Sequence, residues 1–184
     1  MRIRPALAVP GVAAALLLAA SGTSATAAPS GLAAGAPSPS QKAAAPARCA
    51  AKDLRLRAEQ SADPRVLHVR VTNRSARACT VDRIPTVTFG DLDGAALPKP
   101  AGESGPYRLA GGRSAYASVL TIADRADPEA RRVRSVTVSA DPSLAGRSFT
   151  ARELGAGATV RVWEPVTTWW KPSVAAADRA LGLR

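Results

Sequence analysis

The chain has 184 residues, which is enough for one domain with a hydrophobic core and short for two. Apolar residues make up 46% of it but aromatic residues only 4%, so a core must depend on Val, Leu and Ile. The formal net charge is +11, and Arg is by far the commoner of the two basic residues. This charge favours anionic partners such as wall polymers, lipid headgroups or nucleic acid. The alternative is a basic surface that only keeps the protein soluble.

The N-terminus has the three parts of a secretory signal peptide. A short basic start precedes an apolar run and then small residues, which predicts a cleavable signal over residues 1–27. The run is short for a membrane span and contains Pro10, although an uncleaved anchor is the alternative. A lipoprotein needs a Cys directly after the run, but Ser21 stands there and the first Cys is Cys49. We therefore expect a secreted, extracellular protein that is not a lipoprotein.

Residues 28–48 are mostly Ala, Pro, Ser and Gly. This composition cannot build a core, and its prolines break helices, so we predict a flexible linker.

From Cys49 onward, apolar and polar residues alternate, as in strands with one solvated face. Turn residues separate these runs, which predicts an antiparallel immunoglobulin-like β-sandwich of six to eight strands over residues 49–172. Residues 173–184 form a C-terminal tail in which a short helix is expected at 174–183. Residues 114–122 are predicted as a strand from their β-branched and aromatic residues. The alternating runs are Leu54–Arg57, Leu67–Thr72, Thr86–Phe89, Ser135–Val138 and Val160–Trp163.

The two cysteines, Cys49 and Cys79, flank the first two predicted strands. In an oxidising compartment they should form a structural disulfide. Their spacing is not C-x-x-C, which argues against a redox role.

Several short motifs follow one another in order along this domain. They are Cys49 with Asp53-Leu54, Val69 to Asn73, Cys79-Thr80-Val81, Ile84 to Val87, Asp93-Gly94 and Leu109 to Gly112. This order resembles the actinobacterial secreted domain-of-unknown-function family 4232, over about residues 49–163. The resemblance implies a secreted or lipid-anchored β-sandwich with no assigned activity. The chain departs from the family at Arg83 and Ile84, where Gly and Tyr are usual, and it lacks the second Cys pair that members often carry.

The sequence shows no recognisable catalytic constellation. His68 is the only histidine, the alternation directs it away from the core as an exposed residue, and no G-x-S-x-G elbow supplies a nucleophile. One His and two distant Cys are too few for zinc, and Asp91 and Asp93 before Gly94 fit a hairpin turn better than a calcium loop. We predict no metal, no cofactor and no enzymatic activity. A carboxylate pair assembled by the fold stays open.

The densest basic cluster is Arg131, Arg132 and Arg134, with Arg125 nearby. Guanidinium groups bind phosphates with paired donors. No aromatic residues are interleaved for base stacking, and export argues against nucleic acid as the partner. The cluster is therefore either a contact for an anionic wall polymer or lipid, or a solvated edge strand protected from aggregation by its charge.

All three tryptophans of the chain, Trp163, Trp169 and Trp170, lie close together in sequence. In an extended segment Trp169 and Trp170 point to opposite sides, so at least one should be exposed or at a rim. An exposed Trp can stack on sugars or sit at a membrane interface. The alternative is that these rings plug one end of the sandwich.

Two hypotheses of function follow from these features. The first is a non-catalytic, monomeric binding module at the bacterial cell envelope, with the Trp and Arg clusters as its contacts and an anionic cell-wall polymer as its partner. The second is a secreted inhibitor or protein–protein interaction domain that presents the loop at residues 98–108 to another extracellular protein. An enzyme of unfamiliar type is a remote third.

Overall fold

A computed structural model describes residues 46–183 of the chain. The predicted signal peptide and most of the predicted linker lie outside these residues. The described part contains twelve strands, a 3-10 turn (Ala51–Asp53) and one α-helix, α1 (Val174–Leu181). The strands are β1 (Leu54–Gln60), β2 (Val66–Asn73), β3 (Cys79–Asp82), β4 (Thr86–Phe89), β5 (Leu97–Lys99), β6 (Pro106–Leu109), β7 (Ser114–Leu120), β8 (Arg131–Val133), β9 (Ser135–Ser139), β10 (Arg147–Thr150), β11 (Val160–Val162) and β12 (Val166–Thr168).

The strands form a five-stranded sheet of order β1-β2-β7-β12-β5 and a three-stranded sheet of order β10-β9-β4. Two ribbons, β11-β8 and β3-β6, complete the structure of residues 46–183. The predicted all-β, sandwich-like fold is confirmed. Pairing is antiparallel except between β12 and β5. There are more strands than predicted, and the additional ones have only three or four residues each: β3, β5, β6, β8, β10 and β12. Among strands this short, alternation identified only β4 and β11.

One hydrophobic core joins the inward faces of the two larger sheets. In β2, every second residue from Leu67 to Val71 is buried, whereas His68 and Arg70 lie on the outer face. β9 repeats this pattern with Val136 and Val138. The alternation in the sequence therefore corresponds to the core face of these strands.

The predicted disulfide between Cys49 and Cys79 is present, with 4.9 Å between the Cα atoms. It ties the segment before β1 to the start of β3. The Thr80 N–H also donates to the Ala47 carbonyl oxygen at 2.9 Å. The end of the predicted linker thus contacts β3 at Thr80, the residue next to the disulfide-bonded Cys79.

Helix α1 lies against β7 and β12, in the segment where the sequence suggested a short helix. The Ser173 hydroxyl accepts from the Ala176 N–H and begins the helix, and Gly182 ends it at a φ of 93°. Ala177 and Leu181 are buried, so this segment is part of the folded body and not a free tail. None of the helices in residues 46–183 has the length and apolar character needed to cross a membrane.

Candidate functional site

Four arginines line a cleft of about 350 Å³ where the β8–β11 ribbon meets the segments before β2 and after β7. They are Arg65, Arg125, Arg132 and Arg161, and no carboxylate lines the cleft with them. The volume lies in the range of small-ligand pockets, and the lining favours an anion.

The ribbon places two of these arginines directly opposite each other. In the antiparallel register of β8 and β11, Arg132 pairs with Arg161. Their neighbours Val133, Val160 and Val162 are buried, so the alternation directs the two guanidinium groups away from the core. Like charges in directly opposed positions destabilise a strand pair. An anion bound between them would relieve that repulsion.

Arg161 is partly fixed within the protein. Its Nη2 donates to the Asp127 carbonyl oxygen at 3.4 Å, while its Nε is buried and has no hydrogen-bond partner among residues 46–183. A buried, unsatisfied donor costs about 1–3 kcal/mol.

Arg65 is already neutralised within the protein. Its Nη2 lies 2.7 Å from Asp63 Oδ2, and its Nη1 donates to the Ala123 carbonyl oxygen at 2.9 Å. The hydrogen bond from Arg65 holds the pKa of Asp63 below its ordinary value. Asp124 adds a second negative charge near Arg65. The positive charge available to a ligand therefore comes from the other three arginines of the cleft.

Sequence reasoning found part of this cleft. Of the predicted contacts, Arg132 lines it, whereas Arg131 and Arg134 are exposed and lie outside its lining. Arg65 and Arg161 were missed. The alternation around Arg161 indicated an outward side chain, but no sequence pattern showed that β11 pairs with β8.

The structure separates the three tryptophans. Trp170 is 3% exposed and belongs to the core, so its prediction as a surface contact is wrong. Its ring packs in the hydrophobic core, while its backbone N–H donates to the Arg83 carbonyl oxygen at 2.9 Å just after the end of β12. Trp163 is half-buried and, by alternation, follows Arg161 on the outward face of β11 without lining the cleft.

Trp169 is half-buried beneath the loop at residues 98–108. The Arg83 guanidinium lies 5.1 Å from the centre of its ring, and a Cβ added at Gly102 would lie 2.6 Å from the ring. The loop also bonds to the body, since the Ser104 hydroxyl donates to the Asp82 carboxylate. The loop is therefore held against the body at Gly102 and Ser104, while residues 101–104 are exposed to solvent.

His68 is partly covered and bonded, so its prediction as an exposed residue is wrong. Its Nε2 lies 3.0 Å from Asp178 Oδ1, and the buried Ser118 hydroxyl donates to the same oxygen at 2.6 Å. Asp178 comes from α1, which covers the outer face of the sheet at this point. The carboxylate stands between Ser and His, so the imidazole does not contact the hydroxyl that it would have to deprotonate in a catalytic triad.

Two carboxylates, Asp82 and Asp141, line a small cavity of about 150 Å³. Both are engaged: Asp141 accepts from Arg48 at 3.2 Å and from Ser143 at 2.7 Å, and Asp82 accepts from the Ile84 N–H at 3.0 Å. Burial alone would raise the pKa of Asp141, but the Ser143 hydrogen bonds and the Arg48 charge hold it below its ordinary value. In residues 46–183, no group of three or more His, Cys, Asp or Glu is arranged to hold a metal ion.

A family model described as "Domain of unknown function (DUF4232)" matches residues 49–170. No curated protein and no solved structure matches the chain. The matched segment contains every strand and the whole arginine cleft, and it ends before α1.

Proposed function

The chain belongs to the DUF4232 family, and we propose that it is an exported, non-catalytic module that binds an anionic polymer of the bacterial cell envelope in the arginine cleft. The observation that carries the proposal is the pairing of Arg132 with Arg161 across the ribbon, in a cleft that is lined by four arginines and by no carboxylate. A phosphate or carboxylate oxygen bound there would offset the repulsion between the two charges.

Three further features support an envelope location. The N-terminal sequence has the pattern of a secretory signal, and the Cys49–Cys79 disulfide is typical of an oxidising compartment. The net charge of +11 favours association with anionic surfaces. Separately, His68 and Ser118 are both bonded to Asp178, and the carboxylates of Asp82 and Asp141 also accept internal hydrogen bonds. This engagement of the candidate catalytic groups favours binding over catalysis.

The test compares two double variants that remove the same charge. Arg125→Ala/Arg132→Ala changes two exposed residues of the cleft, and Arg131→Ala/Arg134→Ala changes two exposed residues outside its lining. Retention on teichoic acid, a phosphodiester polymer, and on a neutral polysaccharide is measured over a range of salt concentrations. We expect the first variant to lose at least about tenfold in affinity for teichoic acid, because two charge-assisted contacts are removed. The control variant should stay within about threefold of the unmodified protein.

Equal weakening by both variants would show that diffuse charge, and not the cleft, holds the polymer. Equal retention of the unmodified protein on teichoic acid and on the neutral polysaccharide, or on neither, would contradict the function itself. We also expect the affinity of the unmodified protein to fall more steeply with salt concentration than that of Arg125→Ala/Arg132→Ala. The reason is that fewer counterions are released when fewer arginines bind the polymer.

A further inference from the structure

The two edges of the five-stranded sheet differ in what they offer to another strand. At the β5 edge, the Leu97 N–H donates to the Pro165 carbonyl oxygen, toward β12. The parallel register therefore directs the backbone of Pro98 outward, and proline has no N–H to donate. This edge is blocked against strand addition.

The β1 edge keeps its donors. The Asn73 N–H donates to the Arg113 carbonyl oxygen, so the backbone groups of Asn73 face the β7 side of β2. Because these directions alternate along a strand, the residues of β1 that bond to β2 are Arg55, Arg57 and Glu59. The alternate residues of β1 then direct their backbone groups away from the sheet. The Gln60 N–H confirms this direction, because it donates outward to the Leu154 carbonyl oxygen at 2.6 Å.

Two residues of this edge are open to a partner. The N–H groups of Leu56 and Ala58 have no hydrogen-bond partner among residues 46–183. The Leu56 carbonyl oxygen accepts only from the exposed Arg147 guanidinium, at 3.4 Å. That guanidinium rests over the Phe149 ring, 4.6 Å from its centre, and can move without disturbing a strand.

A basic cleft of about 240 Å³ runs beside this edge, between β1 and the turn that leads into β10. Leu54 and Leu56 line one side of it. Arg55, Arg74 and Arg147 supply its charge, and its lining contains no carboxylate. The charges of the cleft therefore complement an acidic partner.

We propose that β1 accepts an extended, acidic peptide segment of another protein as an added strand. Main-chain bonds to Leu56 and Ala58 would extend the sheet by one strand, and alternate acidic side chains would face the arginines of the cleft. The Leu56 carbonyl oxygen would exchange Arg147 for a peptide N–H, which frees that guanidinium to pair with a carboxylate. Although β1 ends at Gln60, which lines the arginine cleft of the proposed function, the two clefts share no lining residue, so either proposal can fail alone.

The probe is a fluorescent nine-residue peptide of alternating Val and Glu, and a Val/Lys peptide of the same length is the control. We expect the Val/Glu peptide to bind the exported protein at least tenfold more tightly than the control, by fluorescence anisotropy. Bound peptide should slow amide exchange at Leu56 and Ala58 and leave the exchange at Arg132 unchanged. Equal binding of the two peptides, or protection at Arg132 without protection at Leu56 and Ala58, would overturn the proposal.

Variants test the backbone and the charge separately. Ala58→Pro removes an outward N–H without breaking a bond between β1 and β2, and should lower affinity at least tenfold, whereas Ala58→Val should lower it by less than threefold. Ala145→Glu places a negative charge in the cleft and should weaken binding several-fold more than Ala95→Glu, which changes an exposed alanine elsewhere. Unchanged affinity in both Ala58→Pro and Ala145→Glu would overturn the proposal. If Ala58→Pro fails to fold, the exchange measurement on the unmodified protein decides.

Discussion

The segment that the family model matches, residues 49–170, and the helix α1 that follows it are held in different ways. The matched segment has a continuous apolar core and one covalent cross-link between Cys49 and Cys79. The helix has two buried apolar residues, Ala177 and Leu181, and a polar cluster beneath it.

The two parts differ in whether a buried polar group has to be satisfied for them to pack. Beneath α1, the Ser118 side chain lies on the outer face of the sheet and is fully buried, and its hydroxyl donates to Asp178. A buried hydroxyl costs free energy unless it is bonded, so the helix must bring its own acceptor. The core of the matched segment carries no such dependence on α1. We therefore expect changes in the matched segment to lower global stability and changes at α1 to act mainly on the docking of the helix.

The largest effect should come from the disulfide. In the Cys49→Ser/Cys79→Ser variant the unfolded chain gains the freedom of a loop of 30 residues, and the free energy of unfolding should fall by about 3 kcal/mol. Urea unfolding monitored by tryptophan fluorescence measures it, with reduction of the unmodified protein as the comparison. A loss below about 1 kcal/mol would show that the bonds of Ala47 to Thr80 hold this segment without the cross-link.

The second effect should come from the acceptor beneath the helix. Asp178→Ala leaves the Ser118 hydroxyl buried and unsatisfied and removes the partner of His68, which costs about 2 kcal/mol. Amide exchange in α1 should accelerate about 30-fold, because each 1.4 kcal/mol is tenfold. Arg179→Ala, the next position along the helix, is exposed and serves as the control. If amide exchange in α1 changed equally in the two variants, the bonds of Asp178 would contribute nothing to docking, and apolar contacts alone would hold the helix.

The strands of the matched segment were predictable because their chemistry is local. Alternation in β2 and β9 identified the core face, and the spacing of Cys49 and Cys79 around two strands identified the disulfide. Most of the short strands were not predictable. Alternation identified the three residues of β11, but the three residues of β8, two arginines and a valine, carry no periodicity.

The candidate site was predictable only in part, because it depends on contacts between residues that are distant in sequence. The basic run identified Arg132, but the pairing that sets Arg161 opposite it joins strands 29 residues apart. The burial of Trp170 and the bond between His68 and Asp178 also depend on contacts distant in sequence. Alternation gave the side of the sheet on which His68 lies, but it gave no sign that a helix would cover that side.

The smallest effect should come from the start of α1, and it distinguishes helix formation from helix docking. Ser173→Ala removes the hydroxyl that accepts from the Ala176 N–H at 3.2 Å, which should cost about 1 kcal/mol. Amide exchange should then accelerate about fivefold in α1 only, with exchange in β2 and β7 unchanged. Ser173→Asp supplies another capping oxygen and should restore the slower exchange, because a negative charge at this end also favours the helix. If Ser173→Ala accelerated exchange in β7 as strongly as in α1, the sheet and the helix would form one cooperative unit, and the contrast between the two parts of the chain would not hold.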